Sequence, residues 1–188
     1  FAWGKYERAL EYYFEALEKA EATGNKHMTA IRNSNIGQAY LAMADYGNAL
    51  KYFNLALDLD RRLGNTGKLG IRYSHIGMLH LRQGNYDTAQ VFFNDAIRIF
   101  RAQNMTGSIV ITLNHLGDLM MSKQDYAKAL GYYNQSLAIS ERAGMKPNIL
   151  RSLERISEAY LHMADYKNAH EYLSRFSLLK DTLFNEEK

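Results

Sequence analysis

Asn35, His75, His115 and Arg155 stand 40 residues apart from one another and carry amide, imidazole and guanidinium groups. Such a column is a polar ladder able to hydrogen-bond the backbone or polar side chains of an extended segment. His75 and His115, with Asp118, also offer metal-ligating atoms. The chain has no H-E-x-x-H pattern, however, and nothing in the spacing obliges the two imidazoles to converge, so neither a metal nor another cofactor is expected. His27, His80, His162 and His170 fall in other columns and form no constellation. With no cysteine, thiolate nucleophiles, thiolate metal sites and disulfides are excluded. No G-x-x-x-x-G-K-S/T phosphate loop occurs, and no nucleophile stands beside a base, so the chain is not expected to be an enzyme.

Bulk properties narrow the partners. A net charge of +3 is spread over interspersed acids and bases, without the Lys/Arg stripe that tracks a phosphate backbone, so direct nucleic-acid binding is not expected. No apolar run approaches the ~20 residues of a membrane span, and no membrane contact is expected within this segment. An apolar content of 47% is ample for a continuous core in 188 residues. The opening Phe1-Ala2-Trp3 shows neither an initiator Met nor a signal-peptide pattern and reads as the end of a truncated helix in an excised segment.

The ladder belongs to a longer regularity. Tyr6, Tyr46, Tyr86, Tyr126 and Tyr166 recur at the same 40-residue interval, and self-similarity on this scale means stacked supersecondary units rather than a domain with long-range topology. Within one unit, Ile36, Tyr40 and Met43 form a helical stripe, helix A; Tyr46, Ala49, Leu50, Phe53, Ala56 and Leu57 form a stronger one, helix B, over about 18 residues. Asp45, Asn85, Asp125 and Asp165 precede helix B as N-caps, and Gly24, Gly64, Asn104 and Gly144 follow it as residues that accept a left-handed turn. The column Gly37, Gly77, Gly117, Ser157 and the column Ala9, Ala49, Ala89, Ala129, Ala169 supply small residues. Their expected large partners are Tyr13, Phe53, Phe93, Tyr133 and Leu173.

The pattern Ile36-Gly37, Tyr40, Tyr46, Ala49, Phe53, Ala56, repeated along nearly the whole chain, resembles the tetratricopeptide repeat. In place of that repeat's usual Trp stand Asn33, Tyr73, Leu113 and Leu153, and in place of its Pro stand Glu21, Arg61, Arg101 and Glu141, which lets helix B continue into a 40-residue unit. The resemblance implies an all-α fold, a right-handed α-solenoid of antiparallel helix pairs. The expected division is the last helix of a truncated repeat at 1–22, an array at 23–180 with units near 27–63, 67–103, 107–143 and 147–180, and a C-terminal linker helix beginning at 181–188. Phe176, where other units carry Ala16, Ala56, Ala96 and Ser136, marks the last unit as an end. The segment 180–188 also resembles the junction after repeat arrays in bacterial membrane-tethered sensor kinases and regulators. That implies a sensory or interaction region in signal transduction, on the periplasmic side of the inner membrane if tethered and otherwise cytoplasmic.

In the family, ligands contact the A-helix face turned away from helix B. Carried over by column, this face comprises Ser34, Asn35 and Gln38; Ser74, His75 and Met78; Asn114, His115 and Asp118; and Arg151, Glu154, Arg155 and Glu158. The expected partner is a protein or peptide segment held in a concave groove. The competing account of any one of these residues is a solvated helix face. Only Arg151 and Arg155 are cationic, which argues against the family's clamp for a terminal carboxylate. The neighbouring column Ile31, Ile71, Ile111 and Arg151 is either an apolar rail for the ligand or packing against the next repeat. The alternative function is a structural scaffold that self-associates, for instance as a homodimer, through an exposed flank.

Overall fold

The computed structural model describes residues 3–186, with side chains described over 6–183. Phe1 and Ala2 of the expected truncated helix, and Glu187 and Lys188 of the expected linker helix, lie outside the described residues. Among those described there are nine α-helices and no strand. They are α1 (Trp3–Ala22), α2 (Lys26–Ala42), α3 (Tyr46–Arg62), α4 (Thr66–Arg82), α5 (Tyr86–Ala102), α6 (Thr106–Ser122), α7 (Tyr126–Arg142), α8 (Lys146–His162) and α9 (Tyr166–Glu186). The even-numbered helices are the A helices of the sequence pattern, and the odd-numbered ones the B helices.

The chain divides into two compact units, Phe1–Gln103 and Asn104–Lys188, at a boundary between repeats rather than within one. In the first, α2–α3 and α4–α5 are helical hairpins; α1 packs on α2, and α3 on α4. In the second, α6–α7 and α8–α9 are hairpins stacked through α7 and α8.

Helix ends follow from the polar punctuation. Asp45, Asp125 and Asp165 accept a bond from the backbone N–H three residues on, and Asn25 does the same for α2. Asn85 departs from the expected pattern: its carboxamide donates to Gln83 Oε1 instead and makes no side-chain cap. Gly24, Gly64, Asn104 and Gly144 all take positive φ. A second series of left-handed residues, after the A helices, consists of Ala44, Gly84, Gln124 and Ala164. Three of these carry a Cβ, so their sequence identity gave no sign of the turn; the backbone bond Asp45 N–H to Tyr40 O (2.9 Å) and its counterparts hold it.

The small-to-large columns explain how A and B touch within each hairpin. A Cβ added to Gly37 would stand 2.6 Å from the Phe53 ring, and one on Gly77 2.7 Å from Phe93; Gly117 abuts the Tyr133 ring in the same way. Only hydrogen at these positions lets a fully buried ring lie flat on the facing backbone. The last hairpin differs. Ser157 donates to the Ala169 carbonyl (2.8 Å), and Leu173, expected in the core, is 48% exposed because the described residues provide no further helix to cover α9. Phe176 is half-buried, with Lys180 Nζ 5.6 Å above its ring.

Candidate interaction faces

In the first unit the A-helix residues separate into a packed set and an open set. Ser34 and Ser74 are buried, and a ligand would have to displace a helix to touch them. Ser34 Oγ lies 3.1 Å from His75 Nδ1 and so links α2 to α4. His75 is half-buried with its ring 5.4 Å from that of Phe53. Burial, reinforced by the charge of Arg72, lowers its pKa from 6.5 to about 4, so the imidazole is neutral near pH 7. Gln38 is exposed, and Asn35 and Met78 are partly so. Asn35 and Gln38 line an open hollow of about 320 Å³ together with Tyr6, Ala9, Tyr13 and Ala39. Two carboxamides, each a donor and an acceptor, thus stand beside two phenol rings.

The second unit is built around charge. Asn114 is buried and accepts a hydrogen bond from Ser152 Oγ (3.3 Å). Asp118 accepts one from the Tyr133 hydroxyl (2.7 Å), and Arg155 Nε lies 3.3 Å from the same carboxylate oxygen. Arg155 also donates to Glu158 Oε2 (2.8 Å). Burial raises the Asp118 pKa above the ordinary carboxylate value, against the pull of Arg155 and the Tyr133 hydroxyl. Burial raises the Tyr133 phenol too, helped by the charge of Asp118. Arg155 therefore serves two carboxylates of its own chain and is poorly placed to neutralise a ligand's. Arg151 and Glu154 are exposed, His115 is half-buried, and Ile111 is 40% exposed.

One pairing in each unit escaped the sequence reading. Arg72 Nε donates to Asp60 Oδ2 (2.9 Å) with both side chains almost fully buried between α3 and α4, while Asn65 donates to Asp60 Oδ1 (3.0 Å). In the column Ala20, Asp60, Phe100, Ser140, Lys180 only Asp60 is acidic, and its partner column reads Arg32, Arg72, Thr112, Ser152. The second is Asp118–Tyr133. Where Phe53 and Phe93 occupy the ring column, Gln38 and Met78 stand opposite; the carboxylate coincides with the ring that bears a hydroxyl. Asp118–Tyr133 was readable as a matched departure from its columns, whereas Asp60 departs from its own column and Arg72 does not, since Arg32 precedes it.

Among the described residues no three His, Asp or Glu side chains converge as a metal site, and no helix is long and apolar enough to cross a membrane.

The family description Tetratricopeptide repeat matches residues 2–62, 29–102 and 108–175. No curated protein matches the chain in sequence. Aspartyl phosphate phosphatase F from Bacillus subtilis is similar in structure at 18% identity, with a TM-score of 0.84 over 92% of this chain and 45% of that one. A Rap protein complexed with competence and sporulation factor is similar at 19% identity, with a TM-score of 0.85 over 95% of this chain and 50% of that one. A STAND signal-transduction ATPase with a tetratricopeptide repeat sensor, from Pyrococcus horikoshii, is similar at 18% identity, with a TM-score of 0.81 over 95% of this chain and 28% of that one. The chain spans half of these three proteins or less, and at such identities the likeness is one of fold.

Proposed function

Because this chain belongs to the tetratricopeptide-repeat family, we propose that it is a protein-interaction module that binds an extended peptide or protein segment on its A-helix faces, as the sensory or interaction region of a bacterial signal-transduction protein. The observation that carries this reading is the open hollow in which Asn35 and Gln38 stand beside Tyr6 and Tyr13. A carboxamide satisfies both the N–H and the C=O of a bound backbone, and the rings offer apolar area to a side chain of the segment. His75, neutral and in contact with Ser34 beside Asn35, adds no charge to the A helices of the first unit, which suits uncharged residues. In the second unit Arg151, Glu154 and Glu158 offer polar and charged contacts. The signalling context is supported by two structural neighbours, the Rap protein bound to its factor and the ATPase with a repeat sensor.

Peptides selected from a random display library and measured by calorimetry test the reading. The double variant Asn35→Ala/Gln38→Ala is expected to lose about tenfold or more in affinity, while Arg98→Ala on the B side leaves it unchanged. Equal binding by parent and double variant contradicts it.

A scaffold that self-associates is favoured by a different observation: Leu161, Leu173 and Leu178 of the last hairpin are 51%, 48% and 71% exposed. Light scattering at rising concentration separates the readings. A growing mass supports the scaffold, and a constant monomer mass removes it.

A further inference from the structure

On the side of the first unit formed by its B helices, a second hollow of about 450 Å³ opens between α1, α2 and α3. Its walls include Leu17, Leu55, Leu59 and Tyr52, and on α2 it reaches Thr29 and Asn33. This volume falls within the range of small-ligand clefts, roughly 300–1,000 Å³. Its origin lies in two residues. One repeat on, the positions of Thr29 and Asn33 are taken by Leu69 and Tyr73, which pack against the core of the first unit. The Tyr73 ring there lies 5.9 Å from that of Phe92, the residue equivalent to Tyr52. In the last hairpin the same position holds Leu153, also buried. Beside α2, a short polar side chain leaves unfilled the space that a ring takes one repeat on.

What remains there is chemically specific. Asn33 is 4% exposed, and its Nδ2 donates to the Thr29 carbonyl at 3.0 Å. Its Oδ1 accepts no hydrogen bond from the described residues. Tyr52 stacks on Tyr40 at 5.7 Å by one face, so its ring is already held in place as an aromatic wall. The rim carries both signs, with Glu21 and Asp58 on the acidic side and Lys51 and Arg62 on the basic side. A strongly acidic or basic segment would set one of these against its like, whereas a neutral one would not.

We propose that this hollow receives the side chain of a tyrosine or tryptophan from an otherwise neutral segment of a partner protein, lodged where Tyr73 lodges one repeat on and donating its O–H or N–H to Asn33 Oδ1. The apolar walls take the ring, and the buried Asn33 Oδ1 among them favours rings with a donor at the edge. The site is separate from the A-helix faces and stands or falls independently of them.

Amide NMR of the whole 188-residue chain, titrated with N-acetyl-tyrosinamide and N-acetyl-tryptophanamide and with N-acetyl-leucinamide as control, tests this. The aromatic amides are expected to shift residues of α2 and α3 around Asn33 saturably, the leucine amide to bind more weakly, and Asn33→Tyr to reduce aromatic binding about tenfold or more. Asn35→Ala/Gln38→Ala is expected to leave it intact. If Asn33→Tyr fails to fold by circular dichroism, Thr29→Leu narrows the hollow with the adjacent repeat's own residue and is expected to weaken binding severalfold. Absence of shifts, equal binding by the filled variant, or equal binding of the leucine amide overturns the proposal. So does a concentration-dependent dimer that Asn33→Tyr abolishes, which would make a second copy the occupant.

Discussion

The Asp60–Arg72 pair puts two opposite charges out of reach of solvent within the first unit. Burial lowers the Arg72 pKa, and Asp60 opposes that shift; the two charges are tolerable inside only together. Asp60→Ala is expected to cost about 3–5 kcal/mol in urea unfolding, because it strands a guanidinium between two helices. His75 gives a second test. Its folded pKa of about 4 lies below the ordinary 6.5, so its contribution to stability is complete above about pH 6.5 and is lost as the pH falls toward 4. The difference between the parent and His75→Gln should therefore shrink by about 2–3 kcal/mol over that window, and the His75 imidazole should titrate near pH 4 by NMR. Neither residue announced its role alone, since a buried pair involves one copy of a column and leaves the period untouched.

At the scale of helices, the sequence was most legible where packing must repeat. A ring of fixed size pressed on a facing backbone demands the same small residue in each of the first three hairpins, which is why Gly37, Gly77 and Gly117 stood out beside Phe53, Phe93 and Tyr133. The turns after the A helices were not legible, because Ala44, Gln124 and Ala164 adopt positive φ without being Gly or Asn. Two glycines separate packing from propensity. Gly131 in α7 has open space where a Cβ would go, and Gly131→Ala should stabilise by about 0.5–1 kcal/mol. Gly77→Ala drives a methyl against the Phe93 ring at 2.7 Å and should destabilise by about 1–3 kcal/mol. Thermal melts of the two variants moving in opposite directions would establish the small-to-large columns as the link between helices; a Gly77→Ala as stable as the parent would dissolve it.

Across the whole chain, repetition specifies the scaffold and its exceptions specify the chemistry. The period, the caps and the core columns carried the fold class because every copy must meet the same packing problem. The interaction face was only partly legible: column position alone could not tell Ser34, Ser74 and Asn114, which lie inside the packing, from Asn35 and Gln38, which line a hollow. Nor could it show that Arg155 is held by Asp118 and Glu158. The most direct test of the account is hydrogen–deuterium exchange of the chain with and without a library-selected peptide. Protection concentrated in α2 and α4, or in α6 and α8, is the predicted result. Protection confined to the B helices α3, α5 and α7 would contradict the claim that the A-helix faces are where this protein meets its partner.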